Sequence, residues 1–433
     1  MANRVFNDAD TYVCIALFSK RPNEGFALQK LPYLPERRTQ RLSDGLVQRM
    51  ADHDRYQPVS YDQLRRASAL YGSNQWLFFD GPDGYALFEL LYKNSRRVQD
   101  VFKRVFQGIA TGKDELYVFE LEKEDGDHLI GNFSKSSERL RVERKMFKPF
   151  LRGRDVHRYI PLLLDTYILF PYSINIIGKA DVMEESYIAE NFPSTYTWLK
   201  KTEDLHRKKD GGSTNDKYWY RYARKQGVDN VEIDRLSSME ICTSHPNVTT
   251  NKFFYHSTTV YSWVKAANVP ESYEYLLAIA NSPVLWWFLK NTGDTLQGDA
   301  RRLKSNYLNP FPLPDRPAPA TEAAIATLVR YLLWLNDPTN PQANASVSNK
   351  AVADYLRKVV DGCVCELYVA DEMRQKQVDI LPFVAKDIVS DKTDPAAINA
   401  LYLRWQHPDS EVRNRLKLFT TRSPNVLGRL LNA

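Results

Sequence analysis

The chain has 433 residues, 43% hydrophobic and 26% charged, with a formal net charge of +6. That length serves two or three globular domains with proper cores, and the charge is too small for a surface that attracts polyanions everywhere, so the location of the positive excess matters. Four cysteines, Cys14, Cys242, Cys363 and Cys365, are no disulfide framework and fit a reducing cytosol. Cys363-x-Cys365 has no second pair and Cys242-Thr-Ser-His245 stands alone, spacings that argue against a metal site. The longest apolar runs, residues 12–18 and 284–289, fall far short of the roughly 18 residues of a membrane span. The first also lacks the basic flank and cleavage site of a signal peptide, so a cytoplasmic protein is expected, without a membrane partner.

In chain order, residues 11–19 read as a buried strand, so soon after Met1 that a domain is entered partway. Residues 21–71 form a polar connector broken at Pro32 and Pro35. A short strand is expected over 76–79, a turn over 80–84, and a helix over 85–102 carrying Leu87, Leu90, Leu91, Val98 and Val101. The helix delivers the chain to Gly108-Ile109-Ala110-Thr111-Gly112-Lys113-Asp114, a tight turn between two glycines that feeds a strand over 116–119. Such a turn lets Lys113 and free amides face a phosphate, or it is an ordinary loop entering a strand.

From Gly108 to about Pro314 the pattern predicts one mixed α/β module, and its positive charge lies in two clusters. Residues 141–154 hold six Lys or Arg (Arg141, Arg144, Lys145, Lys148, Arg152, Arg154) against Glu143 alone. Residues 198–225 hold nine Lys or Arg against four Asp or Glu. Arg152 and Arg154, separated by Gly153, can present two guanidinium forks from one loop to phosphate or to a guanine edge; the other reading is a solvated loop in which Asp155 neutralises Arg154. In the second cluster Trp198, Tyr218, Trp219, Tyr220 and Tyr222 lie among Lys200, Lys201, Arg207, Lys208, Lys209, Lys217, Arg221, Arg224 and Lys225. Rings beside cations suit a nucleic-acid surface; equally, Trp198 and Trp219 are core and the lysines a wet rim. Residues 208–215 have the composition of a mobile loop.

Strands are expected over 253–256 and 260–263, a helix over 270–280, a break at Asn281-Ser282-Pro283 and a second helix from Val284. Arg301, Arg302 and Lys304 then touch phosphate or form a helix-end charge run. Five prolines between 310 and 319 mark a boundary, followed by amphipathic helices over 321–336 and 349–369. Glu143-Arg144-Lys145 with Asp127 imitates a nuclease metal centre, but its charged flanks are wrong for a buried strand. No Gly-x-Ser-x-Gly, His-Glu-x-x-His or Walker-type loop occurs, so no catalytic residue is assigned.

Residues 108–114 resemble the Gly-Ile-x-Thr-Gly signature that opens the TaqI-like target-recognition region of adenine-specific DNA methyltransferases, a family that includes fused restriction-modification enzymes and phage-defence methylases. Lys148-Pro-Phe-Leu-Arg-Gly-Arg-Asp155 resembles the family's Lys-Pro-x-Leu-x-Gly-x-Asp segment, and the helix pair around Asn281-Ser282 recurs there in the same order. Phe6-Asn-Asp-Ala-Asp-Thr-Tyr12 is similar to the end of the family's methyltransferase domain. The family's glycine-rich S-adenosylmethionine loop and Asn-Pro-Pro-Tyr motif are not in this sequence; Asn309-Pro-Phe-Pro312 reads as a linker. The resemblance implies three parts: residues 1–95 as a methyltransferase-like remnant and connector, 96–315 as a DNA target-recognition domain, and 316–433 as a helical scaffold. It implies double-stranded DNA and an N-terminal catalytic half, in the same or a separate chain, as partners, with S-adenosylmethionine held by that half. The DNA-contacting residues implied are Gly108, Thr111, Gly112, Lys113, Lys148, Arg152, Arg154, Lys200, Lys201, Lys208, Lys209, Trp219, Arg221, Arg224, Arg301 and Arg302, with Arg152 and Arg154 reading base edges. The alternatives are a complete methyltransferase or nuclease, or an RNA-binding or protein-interaction module.

Overall fold

The computed structural model describes residues 24–28, 57–229, 233–388 and 392–433. The expected strand at 11–19, the pattern from Phe6 that leads into it and the break at Pro32 and Pro35 lie outside the described residues. The described chain is mixed α/β with a largely helical C-terminal stretch, as the sequence predicts. No described helix is long and apolar enough to cross a membrane.

Two sheets organise the middle. One runs in the order Val248–Asn251, Arg235–Met239, Val260–Lys265, Phe102–Gln107, all antiparallel. The other runs Tyr255–His256, Phe147–Leu151, Thr166–Leu169, Val118–Asp125, His128–Phe133, Leu140–Glu143, antiparallel except at its first pair. Each sheet has its own core. The second is packed by Phe119, Phe133, Phe147, Trp198, Trp219 and Tyr222, with the rings of Phe133 and Trp198 stacked at 4.2 Å between centroids. The first shares a core with the C-terminal helices, through Trp263, Leu285, Phe288, Ile325, Leu328, Leu356 and Trp405. The expected helical stripes are buried: Ile325, Leu328, Val329 and Leu332 on Pro319–Leu335, and Val352, Leu356, Val359, Val360 and Cys363 on Asn349–Gln375. Ser282 opens the helix Pro283–Thr292 by accepting from Leu285 N at 3.2 Å, and Ser348 opens Asn349–Gln375 in the same way. Arg158 pairs with Asp361 on that long helix, which ties the middle of the chain to it.

Five local expectations change. Residues 80–84 are no turn: Pro82 stands in the first turn of a helix, Gly81–Tyr92, where its missing N–H costs nothing. That helix ends at Tyr92, and the residues expected to continue it form the strand Ser95–Arg97 and one helical turn, Val98–Val101. Residues 76–79 form no strand. The Pro-rich segment read as a linker is packed: Pro312–Pro314 pairs with Ser95–Arg97, and Phe311 and Leu313 are buried. A helix also appears inside the supposed connector, Tyr61–Tyr71, opened by a reciprocal cap between Ser60 and Gln63.

Candidate nucleic-acid interface

The glycine-bounded turn is held by its neighbours. Ile109 N donates to His256 O at 2.7 Å, Gly108 N to Val260 O at 3.3 Å and Lys113 N to Thr111 Oγ1 at 3.2 Å, so these three amides are not free for a phosphate. A Cβ on Gly108 would lie 2.0 Å from His256 O, and Gly112 takes φ +81° beside Ala223. The glycines are therefore required by close approach and by the left-handed backbone. Ala223 N and Arg224 N close the turn from the other side by donating to Thr111 O and Ala110 O. Lys113 meets Glu115 at 3.1 Å.

Beneath this turn sits His256, whose pKa burial, then the Arg235 charge, lowers to about 3. The neutral ring faces Ser257 O from Nδ1 and Ser262 Oγ from Nε2. Since a carbonyl only accepts, Nδ1 carries the proton and Nε2 accepts from the Ser262 hydroxyl.

Residues 257–259 form the turn that leads from one sheet, at Tyr255–His256, into the other, at Val260–Lys265. Three segments far apart in sequence meet on it. Gln107 Nε2 donates to Thr258 O at 2.6 Å, next to the glycine turn. Gly153 N, between Arg152 and Arg154, donates to Thr259 Oγ1 at 2.8 Å. Glu240 N donates to Thr259 O at 2.9 Å, and Arg302 Nε lies 3.8 Å from Glu240 Oε1. Sequence patterns did not mark Gln107, Glu240, Thr258 or Thr259; a Ser-Thr-Thr break between two strand runs is the single local signal, and it is common.

The two candidate readers differ. Arg154 is 67% exposed, with Asp155 3.7 Å from Nε. Arg152 turns inward, 3.5 Å from Glu120, 3.7 Å from Asp155 and 3.4 Å from Thr166 Oγ1. Asp155 also accepts from Arg152 N at 2.6 Å, which closes the loop. Lys148 is half-buried on the strand Phe147–Leu151. Arg141 and Arg144 pair across strands with Asp125 and Glu124 at 2.9 and 2.8 Å.

In the second cluster, Trp219 and Lys209 are buried. Trp219 Nε1 donates to Glu185 at 3.2 Å, and Lys200 and Arg207 both stand 5.5 Å from its ring. Lys209 Nζ donates to Trp219 O at 2.8 Å and His206 O at 3.1 Å. Lys200 pairs with Glu203, Lys201 with Glu138 at 2.5 Å, and Arg221 with Asp216 at 2.5 Å. Lys208 and Arg224 are exposed. The 208–215 loop borders the glycine turn, with Asp210 and Lys209 carbons 3.6 and 3.8 Å from where a Gly112 Cβ would stand. Thr111, Gly112, Lys113, Lys209, Arg221 and Arg224 are thus brought together, whereas Lys200 and Lys201 lie in the last turn of the helix Pro193–Lys201. Arg301 is buried, 3.0 Å from Asp299, and its neighbour Arg302 stands beside Glu240, whose amide donates to Thr259 O.

Glu143 has a structural partner. Its carboxylate accepts from Ser194 N and Thr195 N at 2.9 Å and from Thr195 Oγ1 at 2.6 Å, at the start of the helix Pro193–Lys201. Among the described residues no group of His, Cys, Asp or Glu is placed to hold a metal ion.

No protein-family model matches the chain. Over 353 residues, 77% of this chain, the sequence is 21% identical to the type II restriction enzyme and methyltransferase RM.Eco57I of Escherichia coli, and it spans 33% of that protein's length. Among solved structures, the type IIL restriction-modification enzyme MmeI in complex with DNA matches 76% of this chain and 36% of its own, at 16% identity and a TM-score of 0.39. The chain is thereby linked, distantly, to fused restriction-modification and methyltransferase enzymes.

Proposed function

We propose that this chain is the DNA-sequence-reading part of an adenine-specific methyltransferase or restriction-modification enzyme. Methylating an exocyclic amine requires the adenine to leave the stack, so one half holds the duplex while another does the chemistry. The sequence contains neither a glycine-rich cofactor loop nor Asn-Pro-Pro-Tyr, so S-adenosylmethionine and methyl transfer are assigned to a catalytic half outside it.

The observation that carries the reading is that Gln107 before the glycine turn, Gly153 between Arg152 and Arg154, and Glu240 with Arg302 beside it all meet at the 257–259 turn, in a chain related in sequence to a restriction enzyme and methyltransferase. In this reading Arg154 reaches a base edge in the major groove and Arg152, braced by Glu120 and Asp155, holds the loop that presents it. Lys113, Lys208, Arg224 and Arg302 neutralise backbone phosphates around them. Thr111, Lys209, Trp219 and Arg301 act from beneath the surface by supporting these groups.

The test is the double substitution Arg152→Ala and Arg154→Ala, assayed by selection from random duplex DNA. Sequence preference is expected to vanish while weak, salt-sensitive binding persists. Unchanged selectivity would refute the assignment.

A further inference from the structure

Beside this interface the strands Tyr172–Ile174 and Ala180–Val182 form an antiparallel hairpin. Both strands are anchored: Tyr172, at the root, and Ala180, beside the tip, are buried, Tyr222 N donates to Tyr172 Oη at 2.8 Å, and Ala180 N donates to Asp229 Oδ1 at 2.8 Å. Its tip is fixed as well. Asn175 Oδ1 accepts from Ile177 N at 3.1 Å and Lys179 N at 3.0 Å, Asn175 N donates to Lys179 O at 2.9 Å, and Gly178 takes φ +77°. On this frame Ile176 is 104% exposed and Ile177 72%. Two neighbouring branched apolar side chains are held in water by a hydrogen-bonded turn, where a solvated tip would carry polar residues.

The surroundings indicate what covers them. Lys179, Arg224 and Lys225 are exposed, while Asp181 is the acid 4.0 Å from Lys225. Residues 222–229 that anchor the hairpin are the same stretch that closes the glycine turn through Ala223 and Arg224, so tip and interface are continuous.

We propose that Ile176 and Ile177 form a wedge that enters an opened base step of the bound duplex; this rests on the reading of the ligand as DNA. Branched apolar side chains between bases replace the stacking lost when a base leaves the helix, and the cations at the hairpin meet the flanking phosphates.

The experiment uses the full chain and two short duplexes of one sequence, one fully paired and one with a central mismatch next to 2-aminopurine. The wild-type chain is expected to bind the mismatched duplex about tenfold more tightly, the scale of one stacking contact, and to raise the 2-aminopurine fluorescence. The variant Ile176→Ser with Ile177→Ser, whose side chains touch no core, is expected to keep its Tm and its affinity for paired duplex while losing both effects. A variant that retains the mismatch preference and the fluorescence change overturns the wedge and leaves the DNA reading standing. A wild-type chain that binds neither duplex overturns both. Loss of adhesion to phospholipid vesicles in the variant, with both DNA readouts unchanged, assigns the tip to a bilayer surface and also overturns the wedge.

Discussion

Gly108 and Lys209 show how a residue type acquires its meaning from what surrounds it. A methyl group on Gly108 meets His256 O at 2.0 Å and Ser257 O at 2.5 Å, both backbone atoms that cannot swing aside. Gly108→Ala is therefore expected to cost roughly 2–3 kcal/mol of stability, the upper range of overpacking, measured by denaturant unfolding. A loss below about 0.5 kcal/mol would mean that the turn gives way easily. Lys209 counted in the sequence as a surface cation, but burial, then the Arg221 charge, lowers its pKa to about 7. The unfolded chain keeps that proton up to the ordinary lysine range, so the unfolded state binds more protons between about pH 7 and 10 and stability rises across that window. Relative to Lys209→Met, the wild-type protein is expected to gain thermal stability from pH 7 to pH 10. A difference independent of pH would contradict the burial of Nζ.

At the scale of elements, the parts legible in the sequence were those whose signals are local. Pro270 before one apolar run, and the Asn281-Ser282-Pro283 break before the next, locate Tyr273–Ala280 and Pro283–Thr292 to within a few residues. The first turn of the helix Gly81–Tyr92 was hidden because Gly81-Pro82-Asp83-Gly84 has turn composition, and a Cβ on Gly84 would stand 2.8 Å from Phe79 Cβ. The candidate site was legible as separate motifs and not as a site. Gly108 and Arg154 carry their own patterns, but the turn that joins them is set by the pairing of distant strands. Glu143 belongs to the same class: its charged flanks excluded a nuclease centre, and nothing local announced that it caps a helix fifty residues on. Burial raises the Glu143 pKa, but hydrogen bonds from the Thr195 hydroxyl and the Ser194 and Thr195 amides outweigh it and hold the carboxyl below its usual range. Its contribution is present above the ordinary carboxylate pKa and is lost as pH falls through the lowered one. Glu143→Ala is expected to cost about 1–2 kcal/mol at neutral pH, as loss of a helix cap does, with the deficit shrinking in acid. A deficit that persists unchanged in acid would rule out the carboxylate cap.

For the whole molecule, the net charge of +6 conceals many described cations that are already paired. Arg139, Arg141, Arg144, Lys200, Lys201 and Arg221 each meet a carboxylate, and exposed pairs of this kind contribute little to stability. They also subtract from the field that would attract a polyanion. Around residues 257–259, where one sheet passes into the other, Arg154, Lys113 and Arg302 stand beside Asp155, Glu115 and Glu240, and Arg224 is exposed. A duplex held there would feel specific loops more than bulk charge, which predicts sequence preference with modest affinity. The direct measurement is selection of the full chain against a random duplex library at physiological salt, followed by sequencing of the bound pool. The account predicts enrichment of one short motif over the input; a bound pool with the composition of the input would contradict it.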